Sequence, residues 1–412
     1  MENRKTYFYD FVPVRINSTE EERATILNKY PPPVWEEGKS DFNIETEVKG
    51  NDVNAQLLLT EYTVEKTKTD KQYLKFKFSN SNGAINAKMW DNDGALARYT
   101  PMLEEYNLFQ VSGKVEDYRG HKSISIHKIQ PCKENINPFS LIASTKQNIE
   151  DLTIELFSYL YELQSPFKEI AIKAMDRFWD QFRIRPAAKG HHHNYLGGLL
   201  KHTVGLMRIA RYIVKFEDNP FQAVFKLIHR VEKALKDELW ADLQTDNPGS
   251  NSRSFVWKDT IDHLYSMFYG MAKHKGQVAN YDLLIVSILF HDIGKLLEYH
   301  HAGKTFEDFK FLFPTADHSS LENRKATGIM MDELGVMVGH IPYGVLLLSK
   351  IIESENIMIS LEDIHHMHHC ILCHHGLPEW GSCVRNPQTI EGYLIHFVDF
   401  LDSRYENTEE VK

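Results

Sequence analysis

With 412 residues and 42% hydrophobic side chains, the chain has room for two cored domains and is too apolar for a disordered one. Its 47 basic and 57 acidic residues give a formal net charge of −10, which excludes a basic protein that coats duplex nucleic acid but not one with a local cationic channel. No run approaches the roughly 20 apolar residues of a membrane span, MENRKTYFYDF lacks the apolar core of a secretory signal, and 4 cysteines do not make a disulfide scaffold, so a reducing cytoplasm is expected.

Residues 1–45, with PPPVWEEGKS, read as an irregular lead-in. From 46 to 132 the period is that of β-structure. QLLLTEYTV, QYLKFKFS, AINAKMW, NLFQVSGKVEDY and SISIHKIQ are short runs separated by Asn, Gly and Asp turns. In YLKFKF, Leu74, Phe76 and Phe78 alternate with Tyr73, Lys75 and Lys77, which predicts a half-buried strand with a basic and aromatic outer face. Five such strands suggest a small barrel of the OB type. Barrels of this kind hold single strands by stacking bases on aromatics beside cations. Tyr73, Lys75, Lys77, Trp90, Tyr118, Arg119 and Lys122 are the candidates, against the plainer readings of Trp90 as core and the lysines as a solvated face.

Residues 133–150, with NPFSLIASTKQ, read as a linker, and helical period begins near 151. His202 lies in LLKHTVGLMRIARYIV on a stripe of Leu199, Thr203, Leu206, Ala210 and Ile213. Taken alone it reads first as a core histidine. In NPFQAVFKLIHRVEKALKDELWADL, Asn219 is placed to cap a helix with Pro220 at its first position. Val224, Leu227, Ile228, Val231, Leu235 and Leu239 form its stripe, and DNPGSNSRS at 246–254 follows as a loop. YDLLIVSILF reads as a buried helix leading into HDIGK at 291–295. Successive helical residues point about 100° apart, so His291 and Asp292 can flank a metal, and a carboxylate can bridge two. Lys295 shares their face and could stabilise charge developing on a phosphate.

His340 in GHIPYG, His374 and His375 in CHHG, and Asp399 in HFVDFLDS complete an ordered set of imidazoles and carboxylates. Such a set suits Mn, Fe, Zn, Ni or Co, and a shared metal would satisfy polar groups set in apolar helices. Asp402 competes with Asp399 but reads better as a surface or capping acid. Cys370 and Cys373 form CxxC without a second ligand pair, so helix-borne thiols are expected rather than structural zinc. Ser360 with Asp363 is placed to cap that helix.

HDIGK within H…HD…H…HH…D resembles the HD-domain metal-dependent phosphohydrolases over about the C-terminal two thirds of the chain. RPAAKGHHHNYLGGLLKHT, LFHDIGKLLE, GHIPYG and HHGLPEWGSCVRNPQTIEGYLIHFVDFLDS carry a further likeness to the YhaM-type 3′→5′ exoribonucleases. NGAINAKMWD and YRGHKSISIHKI resemble OB modules of the anticodon-binding and exonuclease-accessory kind.

The resemblance implies an α+β multidomain chain: an N-terminal OB-type β-barrel at 46–132, then an all-α HD domain at 151–405. Residues 217–280 form a helical insert where family members usually have a short connection. It implies His202, His291, Asp292 and Asp399 as the basic metal set, and His340, His374 and His375 as the added ligands of two-metal members. Lys295 becomes the phosphate contact, and His192 and His193 line the site unless they belong to an exposed loop. Two divalent ions per chain are expected, Mn²⁺ before Fe, Co, Ni or Zn. The partner is single-stranded nucleic acid, RNA ahead of DNA, with no membrane and with a homo-oligomer allowed. Bond cleavage is expected to need only the residues from about 150 onward. Two other readings stay open: hydrolysis of a small nucleotide, such as a cyclic dinucleotide or nucleoside triphosphate, and non-enzymatic binding of single strands.

Overall fold

The computed structural model describes residues 6–14, 16, 18–33, 42–92, 94–132, 138–187, 195–216, 219–245, 258–301, 305–322, 329–380 and 383–405. The lead-in expected to be irregular is ordered where it is described. Thr6–Tyr7 and Val12–Pro13 pair antiparallel, and helix α1 (Glu20–Lys29) starts at a capping box of Thr19 and Glu22. Tyr7, Phe8, Val12, Ile26 and Tyr30 are buried in the core of the helical domain. Tyr30 stacks on Phe157 with ring centroids 3.7 Å apart and donates to Asp176. These apolar residues follow no period because each fills a separate slot in a neighbouring core, so periodicity gives no helix or strand signal there, and the Thr19–Glu22 box is the one local mark of a helix start.

Strands β1 (Asp52–Lys66), β2 (Gln72–Asn80) and β3 (Gly83–Trp90) come next. Helix α2 (Ala95–Glu105) leads to β4 (Leu108–Tyr118) and β5 (His121–Pro131). The strands close in the order β1-β2-β3-β5-β4, consistent with the OB type. The long β1 closes the barrel by pairing twice: Asp52–Leu58 with β4, and Leu58–Lys66 with β2 across an irregularity between Leu59 and Glu61. Leu74, Phe76 and Phe78 fill the interior as the alternation predicts. Helix α2 was not legible in sequence: it starts at left-handed Gly94 and contains Pro101, yet it buries Ala95 and Leu103 against the barrel.

The helical domain comprises α3 (Ile149–Tyr161), α4 (Phe167–Phe182), α5 (Gly198–Arg211), α6 (Pro220–Leu243), α7 (His263–Ala272), α8 (Tyr281–His291), α9 (His340–Ser354), α10 (Leu361–Cys373) and α11 (Ile390–Tyr405), with shorter helices and turns between. It is not all-α as expected, because Tyr299–His301 pairs antiparallel with Ile329–Met331. Helix α8 is apolar all round and buried from Leu283 to His291. A helix of that kind must be central, and α4, α5, α9, α10 and α11 all pack on it. Asn219 caps α6 with Pro220 at its start, and Ser360 caps α10 by accepting from Asp363 N–H. The α6 stripe is shorter than predicted: Val224, Leu227, Ile228 and Val231 are buried, but Leu239 is exposed beside Trp240 and Leu243. The loop at 246–254 lies outside the described residues. The short 3-10 turn Pro138–Leu141 ties the two units, with Ser79 Oγ donating to the Leu141 carbonyl at 2.9 Å. No described helix is long and apolar enough to cross a membrane.

Candidate metal centre

Five helices deliver the imidazole and carboxylate set to one point. Helix α5 carries His202, α8 ends in His291 with Asp292 as its C-cap, α9 begins at His340, α10 is closed by His374, and α11 carries Asp399. The glycine of HDIGK has a steric role, since a Cβ on Gly294 would run into the His340 carbonyl. Only glycine lets α9 approach α8 this closely.

His202 Nε2 lies 3.3 Å from His291 Nε2, 3.2 Å from Asp399 Oδ1 and 3.7 Å from Asp292 Oδ2. On the other side of the same carboxylate, His340 Nε2 is 3.5 Å from Asp292 Oδ1. Two groups of potential ligand atoms result, His202-His291-Asp292 and His340-His374-His375, each with all its atoms within 4.8 Å of one another. Asp292 sits between them with one oxygen toward each.

The outer ring nitrogens are already engaged. His291 Nδ1 is 2.6 Å from the Ile288 carbonyl and His374 Nδ1 is 2.7 Å from that of Ile371, both helix-end carbonyls otherwise short of a partner. His340 Nδ1 faces Glu298 Oε2 at 2.9 Å, and His202 Nδ1 faces Asp402 Oδ2 at 2.6 Å. With Nδ1 donating, Nε2 of His291, His340 and His374 turns a lone pair inward, the arrangement that orients histidines on metals, while His202 is held between Asp402 at Nδ1 and Asp399 at Nε2. Asp402 is therefore neither a surface nor a capping acid: it is 1% exposed and its carboxylate holds His202. Glu298, the last residue of HDIGKLLE, has the matching role on His340 and was not singled out from sequence.

Electrostatics and unmet valence test the fit. Burial alone would raise the Asp292 carboxyl, but Lys295, His291 and His340 hold it well below the usual carboxylate range. Burial and then the neighbouring rings push His374 far down, and burial pushes His375 down to about 4. Burial opposes charge on His202, yet Asp399 and Asp402 raise it to about 10. Asp292 Oδ1, His340 Nε2 and His374 Nε2 are buried without a hydrogen-bond partner. Each such orphan costs about 1–3 kcal/mol, and all three belong to the shared site. The donor set therefore fits divalent ions. Lys295 Nζ donates to the Asp292 carboxylate and to the Ala187 carbonyl at the rim.

On the barrel, Tyr73, Lys75 and Lys77 share the outer face of β2 with Trp90 of β3. Tyr73 lies opposite Trp90 in register, with ring centroids 5.3 Å apart. Lys71 and Lys88, not singled out from sequence, stand 5.1 and 5.3 Å from the Trp90 ring. Lys75 pairs with Glu65 at 3.4 Å. Lys77 lines a cleft shared with Pro186, Tyr299 and Met331 of the helical domain. Tyr299 follows Glu298, which faces His340 Nδ1, and Pro186 precedes Ala187, whose carbonyl accepts from Lys295, so these two lining residues neighbour groups that contact the site. Tyr118 and Arg119 sit apart at the β4–β5 turn, toward the opposite end of β3 from Trp90, and Lys122 donates to the Glu45 carbonyl. His192 and His193 lie outside the described residues. Cys370 and Cys373 are buried free thiols on α10, and neither belongs to a metal-binding group among the described residues.

No family model matches the chain. Curated proteins do. It is 24% identical over 361 residues to a 3′-5′ exoribonuclease YhaM of Geobacillus sp. (strain WCH70), covering 86% of this chain and 83% of that protein. It is 23% identical over 349 residues to the 3′-5′ exoribonuclease YhaM of Listeria welshimeri, with 83% and 82% covered. The Bacillus subtilis (strain 168) protein of the same name is 24% identical over 361 residues, with 86% of each chain covered. The likeness to the YhaM-type 3′→5′ exoribonucleases, read first from HDIGK and the residues around it, thus extends along most of the chain.

Proposed function

We propose that this protein is a metal-dependent phosphodiesterase of the HD type that removes nucleotides from the 3′ end of single-stranded RNA in the cytoplasm. The observation that carries this reading is the pair of ligand groups meeting on the two oxygens of Asp292, with three buried donor atoms lacking hydrogen bonds. The names of its relatives supply the substrate class. When bound, two divalent ions, Mn²⁺ foremost, supply Lewis-acid polarisation of the phosphodiester and an activated water near neutral pH. His202, His291, Asp292 and Asp399 would hold one, and Asp292 with His340, His374 and His375 the other. Lys295 offers its ammonium to the charge developing on the phosphate. Tyr73 and Trp90 stack bases while Lys71, Lys75 and Lys88 follow the backbone, and Lys77 leads the 3′ end into the cleft beside Tyr299. His192 and His193 line the same site, and Tyr118, Arg119 and Lys122 extend the binding face.

The test is purified protein with Mn²⁺ and single-stranded RNA labelled at either end, with the same DNA sequence alongside. The expected result is a one-nucleotide ladder from 5′-labelled RNA, immediate release of labelled mononucleotide from 3′-labelled RNA, and loss of both with chelator. Intact RNA together with hydrolysis of a cyclic dinucleotide or a nucleoside triphosphate would replace this reading with the small-nucleotide one.

A further inference from the structure

The N-terminal hairpin brings a phenol to the back of the metal centre. Tyr7 is 2% exposed, and its hydroxyl donates to Oδ1 of Asp402, 395 positions away in sequence. The other oxygen of that carboxylate holds His202 Nδ1 at 2.6 Å. His202 Nε2 in turn faces His291, Asp292 and Asp399. Three buried side chains therefore link the start of the chain to an inward-facing ligand nitrogen.

The surroundings are shaped to admit this contact. Gly205 lies three positions after His202 and so on the same face of α5. A Cβ there would strike both the Tyr7 hydroxyl and the Asp402 carboxylate. Arg208, one turn further, sets its guanidinium 4.7 Å from the Tyr7 ring centroid and is gripped by both oxygens of Glu155 at 2.6 Å. Phe8 and Val12 are buried on either side of the hairpin. Its turn holds Phe8, Tyr9 and Asp10 at φ 50, 51 and 57, a left-handed conformation that costs about 1–2 kcal/mol per residue. Such strain persists only where surrounding packing enforces it. Phe11 completes the anchorage, 5.3 Å from the Tyr212 ring centroid and 4.8 Å from the Arg230 guanidinium of the insert.

We propose that Tyr7 is a positioning residue of the metal centre, acting through Asp402 to hold His202 with Nε2 directed at the ion. The N-terminal hairpin is then part of the catalytic unit. This rests on the metal-dependent reading above, so the test reads metal binding directly and uses no RNA. The full chain, Tyr7→Phe, Asp402→Asn and the double variant are titrated with Mn²⁺ by calorimetry, with melts of the metal-free proteins as the folding control. Phe keeps the ring that packs against Arg208 and removes only the donor.

Asp402→Asn should weaken Mn²⁺ binding by about 10- to 100-fold. Tyr7→Phe should weaken it by about 3- to 10-fold while the metal-free protein still unfolds in one cooperative transition. On the Asp402→Asn background the phenylalanine should cost nothing further, because the two side chains act in series. Native affinity in Tyr7→Phe while Asp402→Asn is impaired would overturn the proposal. So would a double variant whose loss is the product of the single ones. Failure of the native chain to take up Mn²⁺ would remove the functional reading and this inference together.

Discussion

Asp292 is the residue on which the site turns, because its two oxygens face the two ligand groups. Asp292→Ala should abolish RNA hydrolysis and lower metal content while the circular dichroism spectrum stays native. Turnover at saturating RNA and elemental analysis check both halves. Lys295 contacts the same carboxylate but offers no lone pair to an ion. Lys295→Ala should therefore retain metal and lose about 10²–10³ in kcat, whereas parallel loss of metal would assign it a structural role. Away from the site, Asp308 is 4% exposed and accepts from Gln181 Nε2 at 2.7 Å. Burial pushes its pKa up to about 6, against the pull of Gln181, Arg185 and Arg177. A raised carboxyl contributes stability that is complete below its unfolded value and is lost as pH rises through the folded one. Asp308→Asn should thus gain on the native chain by on the order of 2 kcal/mol between about pH 4 and pH 7. A stability difference that does not change with pH in paired melts would contradict this.

At the scale of elements, α11 explains how two acids three residues apart serve one imidazole. Asp399 meets His202 Nε2 and Asp402 meets Nδ1, since i and i+3 share a helix face. Sequence spacing alone made them rivals for a single role. Only the position of α5 against α11 assigns each its nitrogen. Helix α6 shows the converse. Its predicted stripe is continuous in sequence, but packing ends after Leu235, with Leu239 exposed. Leu227→Ala should cost about 2–5 kcal/mol, while Leu239→Ala should stay within about 0.5 kcal/mol. Denaturant melts of the two variants make that comparison, and equal losses would mean that the outer half of α6 is also buried in solution.

Across the whole molecule, the cleft containing Lys77 lies between the barrel and the helical domain, where Pro186, Tyr299 and Met331 line it. Tyr73→Ala should weaken long single-stranded RNA by about 1–3 kcal/mol. Lys75→Ala with Lys77→Ala should flatten the salt dependence of that binding, by about one unit of slope per lost phosphate contact. Cleavage of a dinucleotide should survive all three changes. Equal impairment of long and short substrates would make the barrel a scaffold instead. Point variants suit this test better than truncation. Residues 6–30 supply part of the helical core, so a cut near 150 would remove Tyr7, Phe8, Ile26 and Tyr30 along with the barrel.

Local pattern was sufficient for several elements that carried their own periodicity, though not for the outer end of α6. The alternation in YLKFKF, the caps at Asn219 and Ser360, and the apolar run ending in HDIGK were legible because each depends on neighbours within a few residues. The order of His202, His291, Asp292, His340, His374, His375 and Asp399 was legible as a motif. Their convergence was not, because it depends on five helices packing around α8. Long-range partners left no local trace. Asp402 resembles any acid near a helix end until Tyr7 and His202 close on it. Glu298 resembles a surface acid until α9 brings His340 to it. The lead-in resembles a loop until the helical core receives its aromatics. Tertiary packing decided these roles because a buried polar group is defined by the partner it meets, and here that partner is remote in sequence.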